Sequence, residues 1–241
     1  MSERLRLDSE MQRRGIAPTR SQAENYIRLG KVKVNGKVVT KPGHFISAES
    51  DIALDVIEQY VSRAGMKLAS VAKLLNLDFK DKVVLDVGSS TGGFTDYSLK
   101  HGAKLVYAVD VGTKQLHPSL HGNSQIELHE QTDIRDFIPS ITPDIILMDV
   151  SFVSSRLLLP HLAKKASNPN TQFVIMVKPQ FEADRNQVNK GVIKNDSMRR
   201  KILSDFESWT KDLFVIKDKK DSEVAGAKGN RERFYLLKKS T

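Results

Sequence analysis

Beyond residue 80 the chain keeps returning to one pattern, a short, largely apolar run followed by enough residues for a helix. The runs are Val83–Val87, Leu105–Val109, Ile145–Met148, Phe173–Val177 and Leu213–Ile216, with helix-length stretches at Gly93–His101, Ser154–Ala166 and Ser197–Thr210. Apolar runs this short, without polar alternation, read as strands buried on both faces. A sheet of such strands needs helices on both sides, so this part is expected to be a doubly wound α/β unit with its ligands at the carboxyl ends of the strands. Ile126–Leu128 reads as a weaker strand and Phe234–Leu237 as the last one.

The residues at those ends are not ones a core would select. Asp86 closes the first run and leads into Val87-Gly88-Ser89-Ser90-Thr91-Gly92-Gly93-Phe94-Thr95, where small residues let the chain turn tightly and let backbone approach a ligand. The dinucleotide-binding fingerprint seats a diphosphate on a helix N-terminus through Gly-x-Gly-x-x-Gly. Here that spacing is broken by Ser89-Ser90-Thr91, and the strand ends in an acid. A carboxylate suits a cationic ligand, which favours the sulfonium and amino group of S-adenosylmethionine (SAM). Asp110, 24 positions after Asp86, ends the second run where an acid would accept hydrogen bonds from ribose hydroxyls. Asp133-Ile134 follows the third strand and is assigned to the adenine edge. The candidate cofactor set is thus Asp86, Gly88, Ser89, Ser90, Thr91, Gly92, Gly93, Phe94, Asp110, Asp133, Ile134 and Asp149.

The first 57 residues have a different grammar. Leu7 and Met11 mark a short helix that stops before Pro18; Thr19 or Ser21 caps a second helix, Gln22–Leu29, ended by Gly30. Val32 and Val34 alternate around Lys33, and Asn35-Gly36 then gives the strongest short hairpin signal. Between residues 11 and 43 the charges are Arg13, Arg14, Arg20, Arg28, Lys31, Lys33, Lys37 and Lys41 against Glu24 alone. The following stretch, Glu49 to Glu58, is acidic. With a net charge of +9, this asymmetry points to one basic face and a polyanionic partner. Glu58-Gln59-Tyr60-Val61 is read as the joint between the modules. The expected division is 1–57, a joint at 58–61, and 62–241.

These residues resemble two known families. Arg6-Leu7-Asp8, Thr19-Arg20-Ser21-Gln22-Ala23, Gly30-Lys31-Val32-Lys33-Val34-Asn35-Gly36 and Lys41-Pro42 are similar to the S4 RNA-binding domain. The resemblance implies RNA contacts from Arg6, Arg14, Arg20, Lys31, Lys33 and Lys41. Residues 60–241 resemble the FtsJ-like ribose 2′-O-methyltransferases, whose catalytic set is Lys-Asp-Lys-Glu. The matching positions are Lys67 in Ser62-Arg63-Ala64-Gly65-Met66-Lys67, Asp149 in Asp149-Val150-Ser151-Phe152, Lys178 in Val177-Lys178-Pro179-Gln180-Phe181-Glu182, and Glu232 in Gly229-Asn230-Arg231-Glu232. Ala64 stands where that family has the first of two glycines. An S4 module ahead of such a domain narrows the likeness to the TlyA-type rRNA methyltransferases, over nearly the whole chain. What the resemblance implies is methyl transfer from SAM to a cytidine 2′-hydroxyl of ribosomal RNA, in the large subunit (23S) first, with 16S as the second candidate.

The chemistry asked of these groups is coherent. A ribose hydroxyl is a weak acid and needs a base close by. Lysine serves only when desolvation or a neighbouring cation brings its pKa from about 10.4 towards neutrality. In this scheme Lys178 is the base, Asp149 aligns it, Lys67 supplies a second positive charge, and Glu232 orients Lys67 or the hydroxyl. Other readings stay open at single positions. Lys67 is also a plain surface residue of an amphipathic helix with Leu68, Val71 and Leu74; Glu232 is also a partner for Arg231 or Arg233; and Glu182 and Asp184 compete with Asp149 for Lys178.

For the whole protein, the competing readings are a non-catalytic RNA-binding or ribosome-assembly factor and, with less support, a haemolysin-like membrane-active protein. No stretch approaches the roughly 18–20 apolar residues that span a bilayer, and the N-terminus lacks the apolar core of a secretory signal. The absence of cysteine removes disulfides and thiolate metal sites. His117 and His121 stand four apart without an acidic partner, so no metal is expected. The expected compartment is the cytoplasm.

Overall fold

The computed structural model describes residues 4–56, 59–183, 192–193, 195–226 and 229–240. Asp184 and Glu58, both named above, lie outside them. The chain divides into two compact units, Met1–Arg63 and Ala64–Thr241.

The first unit contains β1 (Leu5–Arg6), α1 (Leu7–Arg13), α2 (Arg20–Arg28), β2 (Val32–Val34), β3 (Lys37–Val38), β4 (Phe45–Ile46) and β5 (Ile52–Leu54). Thr19, of the two hydroxyls proposed, caps α2 by accepting the Gln22 N–H at 3.2 Å. Asn35 and Gly36 both take positive φ, 49° and 78°, the geometry a two-residue hairpin needs. Beyond the expected hairpin, β5 adds a third strand in the order β3-β2-β5, and β1 pairs with β4. Neither was foreseen, because Ile52-Ala53-Leu54 is a weak three-residue signal inside an acidic stretch and β1 and β4 are two residues each. Leu7, Met11, Tyr26, Ile27 and Val32 form the buried centre. Of the segment assigned as a joint, Tyr60 lies in this unit, where its carbonyl accepts from Gln22 at 2.7 Å.

The second unit begins within α3 (Arg63–Ala72) and continues through β6 (Val83–Val87), α4 (Gly93–Lys100), β7 (Leu105–Val109), β8 (Ile126–His129), β9 (Ile145–Met148), α5 (Ser155–Lys165), β10 (Gln172–Val177), α6 (Pro179–Glu182), α7 (Asp196–Thr210), β11 (Phe214–Asp221) and β12 (Arg233–Lys239). They build a seven-stranded sheet in the order β11-β12-β10-β9-β6-β7-β8. Strands β6 to β10 run parallel, and β12 inserts antiparallel between β10 and β11. The reversed strand separates this sheet from the parallel dinucleotide-binding order. Leu85, Ile146, Met148, Phe173, Ile175 and Val177 are all buried, as strands covered on both faces require.

β11 extends to Asp221, past the expected end at Ile216. A bulge between Ile216 and Asp218 carries the pairing with β12 onward through Lys219 and Lys220, residues with no apolar signal. Ala64 lies in regular helix, so no left-handed glycine is needed there. Among the described residues no helix is long and apolar enough to cross a membrane.

Candidate active site

Sheet register gathers the strand-end residues. β9 and β10 run side by side with Met148 opposite Ile175, and Asp149 follows directly. β10 ends at Val177, opposite Arg233 of antiparallel β12. Lys178 and Glu232 therefore leave adjacent strands one step beyond the same pair. Glu232 takes Lys67 of α3 at 2.9 Å, with side chains only 3% and 11% exposed. The surface-lysine alternative for Lys67 thus fails on burial. Arg231 and Arg233 turn instead to Asp221, at 3.8 and 2.6 Å, so neither is the partner of Glu232.

Lys178 Nζ meets Asp149 Oδ1 at 2.5 Å and donates to Ser151 Oγ at 2.7 Å. Glu182 does not compete. Its carboxylate accepts from Ser154 Oγ and, at 2.7 Å, from the Ser155 N–H, closing the N-terminus of α5. Next to the lysine, Phe181 lies with its ring centre 5.9 Å from Nζ and packs against Phe152 at 5.1 Å. Phe152 is 91% exposed and held at φ +67°, an uncommon conformation for an aromatic residue.

A cleft of about 650 Å³ runs along the carboxyl ends of β6, β7 and β9, and Gly88, Ser90, Asp110, Asp133, Ile134 and Asp149 all line it. Gly88 is required twice. Its φ is +81°, and a Cβ would sit 2.9 Å from the Asp149 carbonyl oxygen. Asp110 accepts the Ser90 and Gly112 N–H groups at 2.9 and 2.7 Å, which fixes its carboxylate at the cleft wall. Asp133 is gripped by Arg135, whose hydrogen bonds hold its carboxyl at about 2.

The rest of the glycine-rich segment stands apart from the cleft lining. Asp86 is fully buried and accepts from Thr95 Oγ1 at 2.7 Å, tying α4 to β6. Phe94 packs in the core against Phe234. Gly92 caps α4 in the left-handed region, where a Cβ would strike Leu116 and Leu120, and Gly93 is α4's first residue. Ser89 is buried and Thr91 exposed. These five residues and Asp86 shape the loop. In place of the missing wall contacts come Gln115, Arg135, Ser151 and Phe152. Ser151 and Phe152 stand in a motif the sequence displayed, but nothing there ranked them above Asp149. Gln115 had no signal at all; its loop is held by Glu130, which accepts the Lys114 and Gln115 N–H groups.

The electrostatics of the strand ends oppose an anionic ligand. Burial first, then the neighbouring Asp149 and Asp110 charges, push the Asp86 carboxyl up to about 7 against the Thr95 hydrogen bond. Asp86 Oδ1 is buried without a hydrogen-bond partner, and so is Ser89 Oγ. The three acids of the cleft wall, Asp110, Asp133 and Asp149, with the unpartnered Asp86 Oδ1 behind them, form an acceptor set that fits a cationic ligand carrying hydroxyls.

A family model described as FtsJ-like methyltransferase matches residues 60–239, three quarters of this chain. The chain belongs to the FtsJ-like methyltransferase family. An S4 domain model matches residues 5–52. Among curated relatives of this FtsJ-like protein, the 16S/23S rRNA (cytidine-2′-O)-methyltransferase TlyA of Mycobacterium tuberculosis is 34% identical, over 100% of this chain and 92% of the relative. The 23S rRNA (cytidine-2′-O)-methyltransferase TlyA of Campylobacter jejuni is 38% identical over 78% of this chain and 75% of its own. A solved structure titled as a hemolysin, from Streptococcus thermophilus, has a TM-score of 0.73 and 37% identity over 100% of this chain and 90% of that one.

The S4 unit also assigns its basic residues unequally. Arg14 is engaged internally, with Nε on Glu10 at 2.6 Å and its other nitrogens on the Ser50 and Ala48 carbonyls at 2.7 Å. It braces the loop before β5 instead of facing solvent. Arg6 and Arg20 share the buried Asp8 at 2.7 and 3.1 Å yet keep 44% and 49% of their side chains exposed. Lys31 and Lys41 are exposed, and Lys33 is loosely paired with Asp55 at 3.6 Å. The two histidines four apart serve a turn: His117 Nδ1 bonds Ser119 and His121 Nε2 bonds the Leu116 carbonyl.

Proposed function

We propose that this protein is a SAM-dependent ribose 2′-O-methyltransferase acting on cytidine in ribosomal RNA, 23S first and 16S as second candidate, in the cytoplasm. The observation that carries this reading is the Lys178–Asp149 pair at 2.5 Å, with Asp149 in the cleft wall. Residues 1–57 would serve as the S4-like module, 58–61 as the joint and 62–241 as the catalytic domain. The names of the TlyA relatives supply the substrate class, and the carboxylate-rich cleft supports the cofactor.

Gly88, Ser90, Asp110, Asp133, Ile134 and Asp149 would hold SAM, with Asp110 meeting its ribose hydroxyls and Asp133 its adenine. When bound, SAM supplies an electrophilic methyl group on a sulfonium, which leaves as a neutral thioether once an oxygen nucleophile has taken the methyl. The protein's task is to prepare that oxygen. Lys178, in its amine form, accepts the proton of the 2′-hydroxyl and becomes an ammonium, whose charge Asp149 balances. Lys67, fixed by Glu232, contributes a second positive charge beside the oxygen as negative charge builds on it. Alignment of the base, the accepting oxygen and the methyl carbon accounts for much of the rate.

Phe152 favours RNA over a small acceptor. A large exposed aromatic at a site mouth offers a stacking face for an unstacked base. Arg6, Arg20, Lys31, Lys33 and Lys41 would add phosphate contacts that give affinity without sequence choice. The test is transfer of labelled methyl from SAM to rRNA and to assembled subunits, followed by mapping of ribose methylation. Lys178→Ala should lose at least about a hundredfold in rate while still binding RNA. Undiminished methylation by that variant would end the base assignment, and absence of 2′-O label with wild type would end the reaction class.

A further inference from the structure

Lys178 Nζ has a second oxygen partner that the four-residue catalytic set omits. Ser151 Oγ accepts a hydrogen bond from Nζ at 2.7 Å, whereas Asp149 Oδ1 makes an ion-pair contact at 2.5 Å and the Phe181 ring centre lies 5.9 Å away. Ser151 sits in the cleft wall, two residues beyond Asp149 on the loop that follows β9. We propose that Ser151 is a positioning residue for the reacting amine. This rests on Lys178 being the base of the proposed function.

The argument is one of counting. An ammonium has three N–H donors, so its rotation about Cε–Nζ is of little consequence. A neutral amine has two N–H groups and one lone pair, and only the lone pair can take a proton. Asp149 attracts the amine by charge, without a hydrogen bond to its Oδ1, and by itself leaves the lone pair free to turn about Cε–Nζ. Ser151 takes one N–H through its hydroxyl oxygen, the Asp149 charge repels the lone pair from its own side, and a single direction then remains for it. When the 2′-hydroxyl proton moves to Nζ, the O–H bond breaks, an N–H bond forms in that direction, and the contacts to Asp149 and Ser151 persist unchanged. Preorganisation of this kind needs no movement at the moment of reaction.

Ser151 is exposed, and among the described residues its side chain bonds Lys178 alone, so its replacement should leave the fold intact. Ser151→Ala and Ser151→Thr are compared with wild type on the rRNA substrate across pH, with SAM affinity measured by calorimetry. Ser151→Ala should lose roughly ten- to a hundredfold in kcat, with KM for RNA and SAM affinity little changed, and Ser151→Thr should recover most of it. The loss should be of the same size at every pH tested, because positioning leaves the protonated fraction alone. Wild-type turnover by Ser151→Ala, or a loss that disappears as pH rises, would overturn the proposal.

Crystal structures of wild type and Ser151→Ala at high pH give a readout independent of turnover. One defined Nζ position in wild type and a spread of positions in the variant supports the role. An unmoved, equally ordered Nζ overturns it, even if the methyl acceptor proves not to be a ribose.

Discussion

Gly226 shows how a residue without a side chain can set the place of a buried ion pair. It lies outside the positive-φ glycines, so backbone freedom is not the reason for it. A Cβ there would come within 2.6 Å of Glu232 Oε1, and the Gly226 N–H donates to the Asn230 carbonyl at 2.9 Å. The turn therefore presses bare backbone against the carboxylate that holds Lys67. Gly226→Ala is expected to displace Glu232 and lower kcat by roughly tenfold, since misalignment of this size commonly has such an effect. In a Glu232→Gln background the same change should cost almost nothing further; full additivity between the two would show that Gly226 acts elsewhere.

Among the elements, the short α6 is decisive because of where its last residue goes. Glu182 reaches the first turn of α5 and satisfies the Ser155 N–H, an orphan donor of the helix end, while its charge meets the positive end of the helix dipole. The lysine-bearing turn is thus fastened to α5 at one end and to β10 at the other. Glu182→Gln should cost about 1–2 kcal/mol. The single tryptophan, Trp209, lies on α7 of this unit, so its fluorescence during urea unfolding measures the change there. No shift in the midpoint would mean the clamp is idle. Element boundaries followed from apolar runs where strands are buried on both faces, and β6 coincides with its predicted range. The continuation of β11 did not, because its outer half is stabilised by pairing with β12 and not by the burial of its own side chains.

At the scale of the molecule, charge sets the partner and folding decides which charges are available. Arg14 and Lys33 are equally basic in the sequence, but one is engaged by three acceptors and the other is half exposed. Lys33→Ala should weaken RNA binding and reduce the slope of log affinity against log salt by about 1 for one phosphate lost. Arg14→Ala should leave that slope alone and lower the melting temperature instead; a changed slope would return Arg14 to the RNA surface.

The alternation of strands and helices in the second unit, the acids and lysines beside its apolar runs and the basic first module could all be read along the chain. They depend on local patterns: hydrophobic period, turn residues and the improbability of a charge beside a buried run. The partners of those charges could not be read that way. That Lys67 takes Glu232, that Asp149 rather than Glu182 takes Lys178, and that Ser151 joins them are matters of register between β9, β10 and β12 and of α3 packing near the start of β12. Contacts between residues 165 positions apart arise only when the sheet closes, since the chain carries no local preference for them.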